Sequence, residues 1–182
     1  MTTLTLPGDS DASTVARYRR ALLNLLGSAD PLDVLRTMPS WCADVLRDTP
    51  PERLSAAEAP GRWSVAAVLH HLADSEVMWS VRLRRTLAEE RPMLAGYDQD
   101  LWAARLRYEA RAPGPSVDAF RAMRSVNLLL VEQATEAEWQ RVGLHGERGE
   151  ESVADMVRLY AGHDLAHRAQ IERILRADYR KV

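Results

Sequence analysis

The chain has 182 residues, 46% of them hydrophobic and 27% charged, which is enough for one domain with a substantial core and excludes a disordered chain. Its 24 basic and 26 acidic residues are dispersed and leave a formal charge of −2, so no global field draws in nucleic acid or an anionic membrane. Cys42 has no second cysteine to pair with, the N-terminal segment carries no export signal, and no apolar run approaches the roughly 18 residues that span a bilayer, so a cytoplasmic protein is expected.

The first helical pattern starts near Ser13 or Thr14, where Val15, Tyr18, Leu22, Leu25 and Leu26 recur at helical spacing until Gly27 stops them. Asp30 and Pro31 read as N-cap and first helical residue of a second helix with Leu32, Leu35, Met38, Trp41, Val45 and Leu46 on its apolar stripe. Pro39 is expected to bend or split it. A proline-rich loop from Thr49 to Gly61 follows, after which Ser64 caps a helix carrying Val65, Val68, Leu69, Leu72, Trp79 and Leu83 and ending at Arg91 and Pro92.

A short helix is predicted over Asp98–Arg107, and the turn Pro113-Gly114-Pro115-Ser116 introduces a longer one over Val117–Ala134. Thr135 and Glu138 have capping-box spacing for a short helix around Trp139. Gly143, Gly146 and Gly149 mark a polar loop, and Ser152 with Asp155 opens a last helix to about Ala177. No segment sustains the two-residue alternation of a strand, so the expected class is all-α: a four-helix bundle with additional short helices, in which each amphipathic stripe is buried against another.

His163-Asp-Leu-Ala-His167 is the most specific chemical signal. Residues four apart on an α-helix differ by about 40° in angle and about 6 Å in height, so both rings can reach one ion. A third ligand has three candidates: His70 and His71 in the middle of the Ser64 helix, and His145 in the glycine-containing loop. Periodicity leaves His70 and His71 both open.

Asp74 follows His71 by three residues and could orient an imidazole through its second nitrogen; Glu76, Asp164 and Gln170 are comparable candidates, and none is singled out as the general base. Trp63, Trp79, Trp102 and Trp139 read as packing anchors and Cys42 as a buried small hydrophobe; Arg82, Arg84 and Arg85 could meet an anionic substrate, but such a run on a helix reads first as a solvated face.

Gly61-Arg-Trp-Ser-Val-Ala-Ala-Val-Leu-His-His-Leu-Ala-Asp-Ser-Glu76 together with His163-Asp-Leu-Ala-His167-Arg-Ala-Gln-Ile closely resembles the DinB/YfiT-like family of metal-dependent enzymes. The likeness is strongest over residues 30–175 of a single domain taken as 1–182, and it includes the Trp139 turn and the glycine-containing loop near His145. It implies a four-helix bundle with a three-histidine site. The histidine before Leu72 is then the ligand, which selects His71 to join His163 and His167.

Three neutral imidazoles would leave a Zn²⁺, Ni²⁺ or Mn²⁺ ion its Lewis acidity and open coordination positions. The resemblance allows two chemistries on a small molecule: hydrolysis, or transfer of a low-molecular-weight thiol. A non-catalytic protein stapled by its metal is the alternative, and nucleic-acid binding finds no basic stripe to support it. A homodimer is expected, since tryptophan-rich helical bundles often bury a face against a copy of themselves.

Overall fold

The computed structural model describes residues 12–177; the N-terminal segment read for an export signal lies outside them. Helix α1 spans Ala12–Leu26 and ends at Gly27, whose φ of +54° suits a residue without a side chain. Helix α2 is Pro31–Asp48, opened by Asp30 accepting from the Leu32 and Asp33 amides at 2.7 and 3.3 Å. Pro39 does not split it: α2 runs through that position as one helix.

A turn of helix, α3 (Pro51–Leu54), leads to α4 (Val65–Ala88), capped by Ser64 Oγ accepting from the Ala67 amide at 3.1 Å. Then come α5 (Gln99–Arg105), a 3-10 turn at Tyr108–Ala110, α6 (Gly114–Gln133), α7 (Glu136–Trp139) with its Thr135/Glu138 capping box, and α8 (Val153–Ala177). Ser152 and Asp155 exchange side-chain and backbone hydrogen bonds at the start of α8, as their spacing predicted.

The principal contacts close α2, α6, α4 and α8 into a ring in that order, so helices consecutive along the ring are not consecutive along the chain. Helix α1 lies outside the ring against α8. The contact is close because residue 162 is glycine: a Cβ there would sit 2.4 Å from the Leu22 carbonyl oxygen.

The segment read as a polar loop is a correction, since it forms a small sheet. Strands β1 (Met93–Leu94), β2 (Val142–His145) and β3 (Gly149–Ser152) lie in that order, β1 parallel and β3 antiparallel to β2, with Leu94 paired to His145. Gly143 lets β2 close on β1, because a Cβ would meet Leu94 Cδ1 at 2.6 Å. The sheet packs against α4 and α8 and carries His145, which is buried.

The bundle interior has two apolar halves. One gathers Cys42, Val65, Leu69, Leu72, Phe120 and Ile171, the other Leu35, Trp79, Leu83, Val131, Val157 and Ala161. A buried arginine stands at the junction. Arg124 of α6 donates to Glu76 of α4 at 2.9 and 3.0 Å, to Asp164 of α8 at 2.6 Å and to the Leu35 carbonyl of α2 at 3.0 Å, tying all four ring helices together. Among the described residues no helix is long and apolar enough to cross a membrane.

Candidate metal centre and its cavity

Neighbouring ring helices α4 and α8 bring His71, His163 and His167 to one point. His71 and His167 each place Nε2 against His163 Nε2, at 3.2 and 3.1 Å, and the three potential ligand atoms lie within 4.8 Å of one another. In a tetrahedral site with bonds of about 2.0–2.1 Å, ligand nitrogens stand about 3.3 Å apart, so this spacing is that of a donor set around one ion. All three rings are buried.

The protonation of the rings fits the same use. Gln170 Oε1 accepts from His167 Nδ1–H at 2.8 Å, which turns the lone pair of Nε2 toward the other two histidines. Burial pushes His167 down to about 4 and holds His71 and His163 well below the ordinary imidazole value, with the charge of neighbouring histidines acting in the same direction on those two. The rings are therefore neutral at physiological pH, as ligands must be. Trp63 packs against His71 with ring centres 4.9 Å apart.

The other candidates divide sharply. His70 faces away from the three: its Nε2–H donates to the Arg111 carbonyl at 3.1 Å and its Nδ1 accepts from Ser116 at 2.8 Å, which makes it a satisfied structural histidine. Asp74 takes the hydroxyl of Tyr108 and orients no imidazole, contrary to the role its spacing suggested. Glu76 and Asp164 face Arg124, and Asn127 completes Glu76 at 2.7 Å. Of the proposed orienting residues, Gln170 alone contacts a ring of the triad.

His163 also lines a cavity of about 100 Å³ between α1, α4, α8 and the sheet, shared with Tyr18, Arg19, Trp79, Arg82, Tyr97 and His145 among others. Arg82 is a second correction: it is buried, donating through Nε and Nη2 to the Ala95 carbonyl at 3.0 and 2.7 Å, while Arg84 and Arg85 keep the outward positions. Its address was present in the sequence, because His71, Ser75, Trp79 and Arg82 recur at helical spacing on one stripe of α4. Tyr160, three residues before His163, shares a face with it in the same way. Nothing in the pattern announced Arg148, which the β2–β3 hairpin carries in.

The backbone amides of Glu147 and Arg148 donate to His145 Nδ1 at 3.2 and 3.4 Å, so the proton of that ring sits on Nε2. Burial, with Arg148 and Arg82 nearby, lowers His145 to about 3. A second cavity of about 560 Å³, sharing no lining residue with the first, reaches Gln170 and Trp63 from the side of Tyr108 and Asp100.

The DinB superfamily model matches residues 17–171. Three relatives each named "putative metal-dependent hydrolase" align over most of both chains: one from Oceanobacillus iheyensis at 28% identity, covering 77% of this chain and 81% of its own, one from Bacillus licheniformis at 27%, covering 76% and 79%, and YfiT of Bacillus subtilis at 25%, covering 80% and 82%. The solved structure of Bacillus subtilis YfiT, with its "unusual four-helix bundle topology", superposes with a TM-score of 0.75 at 21% identity over 94% of this chain and 92% of that one, which supports the fold. With its family model spanning nearly the whole bundle, the chain belongs to the DinB superfamily.

Proposed function

We propose that the protein is a metal-dependent enzyme acting on a small molecule, with His71, His163 and His167 as the ligands of one divalent ion. The observation that carries this is the convergence of three neutral, buried Nε2 atoms on one point beside a cavity. Of the candidate ions, zinc and nickel suit an imidazole set better than manganese, which favours oxygen ligands. Such an ion supplies Lewis acidity, which polarises a substrate and acidifies a nucleophile. The chain's own residues do the rest: Gln170 fixes the His167 tautomer, Trp63 packs the His71 ring, and the cavity wall formed by Trp79, Tyr97 and Tyr160 shelters the reacting groups from bulk water.

Hydrolysis, the chemistry in the names of the relatives, is the first reading. Transfer of a low-molecular-weight thiol is the second, and the presence of two separate cavities near the triad favours it, since two substrates then have two approaches. A purely structural ion is disfavoured by the cavity beside His163 and by a core whose apolar halves and Arg124 strut are complete without it. Exposed Val77 and Val81 on α4 and Val126 and Leu129 on the adjoining α6 support a homodimer through that face, and a single buried cysteine suits the cytoplasm.

Elemental analysis tests the assignment. The wild type should hold roughly one divalent ion per chain, the His163→Ala/His167→Ala variant none, and a His145→Ala variant the full amount. Retention of the ion by the double variant, with loss in His145→Ala, would overturn it. Chelation should leave the helical circular dichroism intact while abolishing turnover; cooperative unfolding on chelation would favour the structural ion. Reloaded protein assayed on ester and amide panels with and without thiols separates the two chemistries.

A further inference from the structure

Buried polar groups that lack partners gather around the cavity beside His163. Trp79 Nε1, Gln99 Nε2, His145 Nε2 and Tyr160 Oη are all buried and have no hydrogen-bond partner, and all four residues line it. Each of those atoms carries a hydrogen to donate. The tautomer of His145 is fixed from behind by two backbone amides, so its Nε2–H is a built donor, on a residue only 2% exposed.

Charge points the same way. Arg19, Arg82 and Arg148 line this cavity together with Glu147 and Glu151. Glu151 is taken by Arg148 at 2.5 and 2.9 Å and by Arg19 at 3.3 Å, while the Glu147 carboxylate stands beside Gly96. Arg82, 9% exposed, has only the Ala95 carbonyl and no carboxylate partner among the described residues. Glu151 acts on Arg82 only from a distance and is already engaged by Arg148 and Arg19, so this guanidinium is held out of water with no carboxylate in contact, an arrangement that a bound anion would relieve.

We propose that this cavity is an oxyanion-binding subsite, in which Arg82 and the Nε2–H of His145 receive the carboxylate or phosphate group of a small substrate whose reacting part faces the histidine triad. Trp79, Gln99 and Tyr160 supply the remaining donors. Water alone is a poorer occupant, because it brings no negative charge to Arg82 and donates as many hydrogens as it accepts. The cavity, of about 100 Å³, is several times the roughly 10–15 Å³ that one water needs on the same measure, which suits an anionic group on a short carbon chain. The orientation of the substrate rests on the metal reading; the binding of the anion does not.

Calorimetric titration of the full chain, metal-free and zinc-loaded, with succinate and inorganic phosphate, and with succinamide as the neutral counterpart of succinate, tests this. At least one anion should bind the metal-free protein saturably and more tightly than succinamide, and the tighter of the two identifies the group. His145→Phe and Arg82→Gln should each weaken that binding about tenfold or more, the loss of one charge-assisted hydrogen bond, with circular dichroism and zinc stoichiometry unchanged. Where Arg82→Gln fails to fold for want of its bond to Ala95, His145→Phe carries the test. No saturable anion binding, equal binding of succinamide, or wild-type affinity in the folded variants would each overturn the subsite. Anion binding that persists in a chain unable to hold zinc would support the subsite and sink the metal reading alone.

Discussion

His163 and Asp164 are consecutive on α8, yet they belong to polar clusters of opposite kinds. Asp164 joins Glu76, Asn127 and Arg124 in a network where each charge meets a partner within the protein, and whose hydrogen bonds reach all four ring helices. His163 joins a triad whose lone pairs face one another, and it borders a cavity walled by donors with nothing to donate to. Both clusters are buried, so both bear the cost of removing polar groups from water. Only the first offsets that cost internally. The first is a device that holds the bundle together; the second, on the proposed reading, is completed by what binds to it.

Removing Arg124 should break the first cluster and give the largest change in stability. Arg124→Met leaves Glu76 and Asp164 facing each other without a cation, and loss of one partner from a buried ion network costs about 3–5 kcal/mol. Urea denaturation of the metal-free protein measures it. A loss no larger than that of an exposed arginine such as Arg47 would mean that the apolar halves, and not this strut, set the ring.

Gln170 tests the second cluster without touching its ligands. Gln170→Leu removes the acceptor that fixes the His167 tautomer and should weaken metal binding roughly 10–100-fold, the range for loss of a group that orients a ligand. Gln170→Glu retains an acceptor and should restore most of it. Competition with a chelating dye reads the affinity, and identical affinities in all three proteins would remove Gln170 from the site.

The first cluster and the second were unequally legible in the sequence. Asp30, Ser64, Thr135 with Glu138, and Ser152 with Asp155 announced four helix starts, because a capping side chain and the backbone amide that donates to it lie within one turn of each other. The three histidines were legible through helical spacing and family resemblance together. Asp74 failed as an orienting group because Tyr108, remote in the sequence and brought in by the 3-10 turn, competes for it.

The sheet was missed because its strands are two to four residues long, too short for alternation to register, and its glycines, of which Gly143 serves close strand approach and Gly149 a positive φ, imitate a loop. Arg82 was hidden among exposed arginines. Arg124 carried no signal of its own, since its partners come from α2, α4 and α8 and exist only once the ring has closed.

The two clusters should also respond oppositely to acid. In the folded protein His145 lies near 3 and His167 near 4, against about 6.5 for an unfolded imidazole. As pH falls below about 6.5 the unfolded chain takes up protons that the fold refuses, so these groups remove stability on acidification, His167 down to about 4 and His145 to about 3. His71 and His163, also held well below the imidazole value, act in the same direction. Asp164 has the opposite sign. Burial raises it to about 6, against the pull of Arg124, so between about 6 and the unfolded value near 3.9 the fold binds the extra proton and gains stability as pH falls. The histidines outnumber the carboxylate, and metal-free protein should lose stability from pH 6.5 to pH 4.5. His145→Phe should reduce that slope by about 1.4 kcal/mol per pH unit, the contribution of one proton. Urea midpoints collected across this range decide it. A slope unchanged by His145→Phe would show that the cavity already admits the proton, and that His145 does not present a neutral Nε2–H donor there.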